Sequence, residues 1–280
     1  MIEAGKTYVV MGLLDADSLA YAIGTTISAL GGKVVFTVQN EVFKRRFLDS
    51  SKKLSDEEKA ALDFRFCDIT KDDQVRDVFA ELDPVAGVVH SIAFANPRTC
   101  LGEELHTEAI DDITLSHHIS CVSLATVARY AVPAMPDGGA IVAMSFDTAH
   151  VYPHYNWMGV QKAALEALVR ALARRHGRDE VRFNAVSAGP LHTKAASKIP
   201  GFGGLTKLWN ASSPLPWDTR QDKQAVADAV VFLLGPRSAK ITGQVLNVDG
   251  GASVMGGGLM EHERGNIRDA EAAPEEPPGQ

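Results

Sequence analysis

Short apolar runs alternate with longer amphipathic ones along most of the chain. The runs at Thr7–Met11, Lys33–Val38, Phe64–Ile69, Val85–Ser91, Ala140–Ser145, Arg182–Ser187 and Gln244–Val248 are rich in β-branched residues and read as strands. Several are apolar on successive positions ("VVF", "GVVH", "AIVAM"), the pattern of strands covered on both faces. Between them the spacing predicts helices near Ser18–Leu30, Glu41–Leu48, Lys71–Leu82, Ala109–Ala134, Tyr155–His176 and Lys223–Leu234. Strand–helix alternation of this kind implies right-handed crossovers. The expected fold is α/β: a doubly wound parallel sheet of about seven strands, helices on both faces, with no internal repeat and no second core.

Two segments break the rhythm. Residues Leu191–Trp217 are rich in Gly, Pro and Ser yet carry Leu191, Ile199, Phe202, Leu205, Leu208 and Trp209. So many apolar groups in a long insertion suit a flap over a ligand better than an inert loop. The end of the chain, "GNIRDAEAAPEEPPGQ", is acidic and proline-bearing with little to bury. One domain over 1–264, with 191–217 as its flap, and a disordered tail over 265–280 is therefore expected.

Composition narrows the class. The 280 residues are 45% hydrophobic and 22% charged, as in ordinary globular proteins. A net charge of −7 offers no basic face for nucleic acid, so none is expected as a partner. No run approaches the roughly 18 unbroken apolar residues of a membrane span, and "MIEAGKTYVVMG" is no secretion signal. Cys67, Cys100 and Cys121 are odd in number and lack metal-ligand spacing, which favours reduced thiols in the cytoplasm. The adjacent His117 and His118 do not share a helix face, so no metal site is expected there.

The candidate chemistry begins where the first strand runs into Gly12-Leu-Leu-Asp-Ala-Asp-Ser18. Gly12 permits a tight turn, and the following helix start would offer free N–H groups to a diphosphate. The usual GxGxxG is absent, and this turn alone is equally an ordinary strand–helix connection. The second strand ends at Gln39, where an acid often holds the adenosine ribose. Lys44, Arg45 and Arg46 follow and could meet a 2′-phosphate, although a solvated helix face accounts for them too. Asp68, ending the third strand, could reach an adenine amino group or merely cap a turn.

Farther on, "HYNWMGVQK" sets Tyr155 seven residues before Lys162. Seven steps of 100° bring the two within about 20° on a helix, with Gly159 between them on that face. Glycine costs about 1 kcal/mol relative to alanine inside a helix, so its presence implies room for a ligand or close helix packing. An ammonium beside a phenol would favour its anion and strengthen its O–H as a donor. Such a donor could stabilise the enolate oxygen formed when hydride adds to the β-carbon of an unsaturated carbonyl compound. Tyrosine and lysine at this spacing also occur by chance in amphipathic helices.

These residues resemble the short-chain dehydrogenase/reductase superfamily, a Rossmann-type fold, and within it the divergent enoyl-acyl carrier protein reductases. The ordinary branch keeps its tyrosine four residues before the lysine, where Met158 stands here. "YNWMGVQKAALEALVR", "VVHSIAFAN", "NAVSAGPLHT" and "ITGQVLNVDGG" carry the resemblance, which spans about Lys6 to Ser253. It implies NADH-dependent reduction of the trans-2 double bond of an enoyl-acyl carrier protein thioester in fatty-acid synthesis. The alternative is a ketone or alcohol reductase of the same superfamily, against which Met158 speaks; a dinucleotide sensor without chemistry is a third reading.

By position the resemblance makes Tyr155 the donor to the thioester carbonyl and Lys162 the anchor of the nicotinamide ribose. Gly12, Ser18 and Leu19 would meet the diphosphate, and Asp68 and Ile69 the adenine. Ser91, Ile92 and Ala93 would lie near the nicotinamide, with Leu191 and Thr193 also on the cofactor. Gln39 resembles NADH-using members, while the nearby basic residues leave NADPH open. Ala93, Phe146, Tyr155, Met158, Ile199 and Phe202 would line the acyl chain. Phe146 stands where many members have a second tyrosine, and His192 where an arginine is usual. The flap lysines Lys194, Lys198 and Lys207 suggest a docking edge for an acidic carrier protein, and the resemblance implies a homotetramer.

Overall fold

The computed structural model describes residues 1–258. Seven strands, β1 Thr7–Met11, β2 Lys33–Val38, β3 Phe64–Phe66, β4 Val85–His90, β5 Gly139–Ser145, β6 Val181–Ala188 and β7 Val245–Val248, make a single sheet. Their order is β3-β2-β1-β4-β5-β6-β7 and every pairing is parallel. Strand order reverses between β1 and β4, and a crevice opens at the carboxyl ends of strands at such a reversal. The doubly wound α/β fold read from the sequence is the one observed.

The α-helices are α1 Leu19–Ala29, α2 Glu41–Phe43, α3 Asp56–Ala60, α4 Asp72–Ala80, α5 Ile110–His117, α6 Ser123–Ala131, α7 Asn156–His176, α8 Phe202–Ser212 and α9 Lys223–Leu234. Successive strand residues serve opposite faces. Tyr8, Val10, Val89 and Val142 pack with Ile23 and Ile27 of α1 and Val230 and Leu233 of α9. Their neighbours Val9, Val88 and Ile141 pack with Val75 of α4, Leu124 of α6 and Leu165 of α7. This double coverage is why the strands read as unbroken apolar runs.

The structure departs from the pattern in several places: the helix expected over Glu41–Leu48 is α-helical only over Glu41–Phe43 and π-type over Lys44–Asp49, and α3 lies between the expected elements. The single helix expected over Ala109–Ala134 is divided by a wide π-type turn at His118–Val122. There Ser116 and Ser120 both donate to the Phe94 carbonyl, at 2.8 and 3.0 Å, and the Phe94 amide donates back to Ser120. Serine hydroxyls of the helix thus satisfy the irregular backbone after β4. β3 stops at Phe66 because Asp68 closes a turn on Thr70. The segment expected as an irregular flap contains a three-turn helix, α8. The tail expected over 265–280, and the domain end at 264, lie outside the described residues.

Candidate active site

At the switch point, Gly12 takes a positive φ of 94°. A β-carbon there would lie 2.3 Å from the Ser91 carbonyl oxygen. Both the left-handed backbone and the close approach of β1 to the end of β4 require glycine. The Gly12 amide donates to Thr37 Oγ1 (3.2 Å), tying the turn to β2. Gly12→Ala should destabilise the fold by about 1–3 kcal/mol from overpacking alone, read as a lower urea midpoint.

Ser18 caps α1: its hydroxyl accepts from the Tyr21 amide and donates to the Asp15 carbonyl. No acid occupies the first turn of α1, so the helix N-terminus presents its amides and dipole to the crevice. Leu19 is half-buried at the first helical position. The glycine-floored turn and an 11-residue helix aimed at it suit a dinucleotide diphosphate.

Gln39 is exposed at the end of β2. Beyond it, Lys44 pairs with Asp49 (2.8 Å), Arg45 approaches Glu41 (3.5 Å) and Arg46 lies over the Phe47 ring. These basic groups have partners on their own segment, as a solvated face does. One oxygen of Asp68 accepts from both the amide and hydroxyl of Thr70. Both bonds fall on Oδ1, so the turn-closing role and contact through the second oxygen are compatible. Ile69 beside it is buried. After β4, Ser91 and Ile92 are half-buried against Gly12 and Ala93 is exposed.

The candidate residues Tyr155 and Lys162 are positioned by β5 and α7. Tyr155 is not inside the helix but at its N-cap, and Asn156 takes a positive φ of 32°. His154 has φ 64°, so non-glycine residues in the left-handed region flank the tyrosine on both sides. Local conformations of that kind cost about 1–3 kcal/mol each and concentrate at functional sites. Asn156 Nδ2 donates to the Gly102 carbonyl (2.6 Å) and Trp157 Nε1 to the Leu105 carbonyl (2.9 Å), which hold the turn. The Tyr155 ring, 8% exposed, packs against Phe146 at 4.9 Å between centroids.

Lys162 Nζ donates to the Met144 carbonyl at 2.8 Å, two residues before Phe146 on the same strand end. Burial lowers its pKa to about 8, against an opposing pull from Glu166 and Cys121. Burial alone pushes the Tyr155 phenol up, so Lys162 does not promote its anion in this structure. The expected strengthening of its O–H by the ammonium is not among the causes acting on this phenol, which keeps its proton to donate. The buried Met158 lies on the same turn, and a β-carbon at Gly159 would meet only Tyr155 Cδ1 at 3.6 Å. Helix packing therefore does not explain that glycine, and open space beside the tyrosine remains.

Phe146 sits amid Tyr152, Tyr155 and Trp209, with centroids 5.1, 4.9 and 5.4 Å away. Its ring thus braces Tyr155 from below the flap. In the flap, Ile199 and Phe202 pack partly buried on the core, while Leu205 and Trp209 are buried. Leu208, three residues after the buried Leu205, is 47% exposed. Leu191 is buried, and Thr193 Oγ1 accepts from the Ala196 amide. Lys194 does not belong to a free basic edge: its ammonium lies 2.9 Å from Asp15. His192 donates its backbone N–H to Thr219, and burial together with Arg220 and Lys223 lowers its pKa.

Two supports were not foreseen from the sequence. Glu166, one turn after Lys162 and buried, accepts from Ser145 (2.6 Å) and Thr148 (2.7 Å), fixing the β5 end against α7. Its place four residues after Lys162 was the available signal. Tyr152 donates to Asp147 (2.6 Å), bracing the aromatic cluster; nothing in the spacing marks that pair.

Residues 12–253 match the family model described as "Enoyl-(Acyl carrier protein) reductase". The chain is 35% identical to the NADH-dependent enoyl-acyl-carrier-protein reductase of Bacillus cereus over 257 residues, 90% of this chain and 98% of that protein. It is 34% identical to the NADPH-dependent enzyme of Staphylococcus aureus, covering 88% of this chain and 96% of that one. The crystal structure of an Anaplasma phagocytophilum enoyl-(acyl-carrier-protein) reductase in complex with NAD superposes with a TM-score of 0.82. It is 34% identical, over 92% of this chain and 97% of that one. With a family model matching over most of the chain and near-complete relatives above 30% identity, the protein belongs to the enoyl-acyl carrier protein reductase family.

Proposed function

We propose that this chain reduces the trans-2 double bond of enoyl thioesters on acyl carrier protein, using NADH, in fatty-acid synthesis. The carrying observation is a buried Tyr155 braced by Phe146 just past the end of β5, with the buried Lys162 ammonium held on the Met144 carbonyl of that same strand end. When bound, the nicotinamide dinucleotide supplies the hydride. Gly12, Ser18 and Leu19 hold the diphosphate end, Asp68 and Ile69 the adenine, and Ser91, Ile92, Ala93, Leu191 and Thr193 the nicotinamide end. Gln39 and the self-paired basic residues after it favour NADH over NADPH.

Tyr155 donates its O–H to the thioester carbonyl, where negative charge grows as the β-carbon is reduced. A phenol kept protonated by burial is suited to that role. Lys162 donates to the nicotinamide ribose and fixes the ring's distance from the substrate. Phe146, Met158, Ile199 and Phe202 supply apolar walls for the acyl chain, and closing them excludes water. Oxidation of NADH with enoyl thioesters but not with ketones supports this assignment; turnover of ketones alone would replace it with the related carbonyl chemistry.

Lys198 and Lys207 are exposed on the flap side and remain the cationic edge for an acidic carrier protein. Lys198→Glu with Lys207→Glu should raise KM severalfold for carrier-bound substrate and leave the coenzyme A thioester unaffected. Equal effects on both substrates would remove the docking assignment.

A homotetramer accounts for apolar side chains that the single chain leaves in water. Ile110, Leu115 and Val122 on the α5–α6 segment and Val160 on α7 are 40–61% exposed, and Leu246 faces out from the edge strand β7. The reading also places the protein in the cytoplasm; among the described residues no helix is long and apolar enough to cross a membrane.

A further inference from the structure

Asp15 lies in the turn between β1 and α1 and is 2% exposed. Its Oδ1 accepts from the Asp17 amide (3.0 Å), and its carbonyl receives both the hydroxyl and amide of Ser18. The carboxylate is therefore built into the turn that opens α1. Its Oδ2 meets Nζ of Lys194 at 2.9 Å, across 179 positions of sequence and from the first residues of the flap. The same ammonium lies 5.2 Å from the centre of the Phe47 ring. The next acid, Asp17, has its own cations, Lys53 at 2.8 Å and Lys223 at 4.0 Å.

A buried carboxylate at this helix start occupies the same favourable field that would receive a diphosphate. Two anions that close repel, the more so where solvent is displaced. Without Lys194, Asp15 would stand as an uncompensated buried charge facing the diphosphate. We propose that Lys194 is the counter-ion of Asp15 and straps the start of the flap to the nucleotide turn, neutralising the carboxylate that the diphosphate would otherwise meet. This inference rests on the assignment of the Gly12–Ser18 turn to the diphosphate.

The test uses the full chain with Lys194→Met, Asp15→Asn and both together. NADH binding is measured by calorimetry, and amide exchange over residues 192–201 is measured without any nucleotide. Lys194→Met should weaken NADH by about tenfold or more, the scale of a stranded buried charge. The double variant should return to within about threefold of the unsubstituted protein, since no carboxylate is left to repel the diphosphate. Exchange in the flap should rise in all three variants, because each lacks the ion pair. Unchanged NADH affinity in Lys194→Met, or no recovery in the double variant, overturns the counter-ion role. Unchanged flap exchange overturns the strap. Should the unsubstituted protein fail to bind NADH, the functional assignment fails instead, and the exchange data still decide whether the strap exists.

Discussion

Tyr155→Phe is expected to lower kcat on enoyl thioesters by about 10²–10³-fold, the usual effect of losing one preorganised donor to a developing oxyanion. The substitution removes only the hydroxyl. The ring keeps its place against Phe146, so the fold and the apolar walls of the site should persist. NADH affinity should stay within about twofold, because the lost interaction belongs to the transition state and not to cofactor binding. Steady-state rates on several acyl chain lengths, with NADH binding measured separately, check the split. An unaltered kcat across those substrates would end the donor assignment. Burial raises the phenol's pKa from its ordinary value near 10, so Tyr155 itself should impose no loss of rate at neutral or mildly alkaline pH.

Lys162→Met should weaken NADH binding by about 10- to 100-fold, the range of a lost charge-assisted hydrogen bond. Methionine fills similar volume in an irregular apolar space, so affinity should fall more than packing. The Met144 carbonyl loses its donor, which costs stability as well, and a thermal melt separates that effect from binding.

The pH dependence has two opposite signs. Lys162 titrates near 8 in the folded chain, below its unfolded value near 10.4. Between those values the unfolded chain binds the extra proton, so this group makes folding more favourable as pH rises from about 8 toward 10.4. Cofactor affinity should move the other way, falling as pH climbs through about 8 and the ammonium is lost. The groups facing Lys162 are Glu166 on its own helix, Cys121 from the α5–α6 segment and His90 from β4. Cys121 is raised and His90 is lowered to about 3, so neither contributes a titration near 8. In Lys162→Met both trends should vanish together, and persistence of the affinity trend would assign it to another group.

Much of this site was legible before folding was considered. β1, β2 and α9 occupy the spans their residues predict, because apolar strands covered on both sides and an amphipathic helix leave unambiguous periodicities. The Tyr155–Lys162 spacing points to the start of α7, where both side chains are buried. Tyr155 stands at the cap, and the left-handed turn at Asn156 interrupts the regular wheel from which their common face was inferred. α8 was hidden by Gly203, Gly204 and Ser212, residues that lower helix propensity, although Phe202, Leu205 and Trp209 keep a helical spacing. Burial of Leu205 and Trp209 on the core outweighs that deficit.

The sequence by itself determined the layered α/β architecture, the need for glycine at the first turn and the residue types able to donate a proton or hold a sugar. These follow from short-range periodicity and side-chain chemistry, which the chain carries wherever it folds. Only the tertiary structure decided that Tyr155 is neutral, that Lys162 is tuned by burial, that Leu208 faces water and that Lys194 belongs to Asp15. Each of those depends on which distant groups share a desolvated space, and linear spacing does not encode the dielectric or the neighbours that folding brings together.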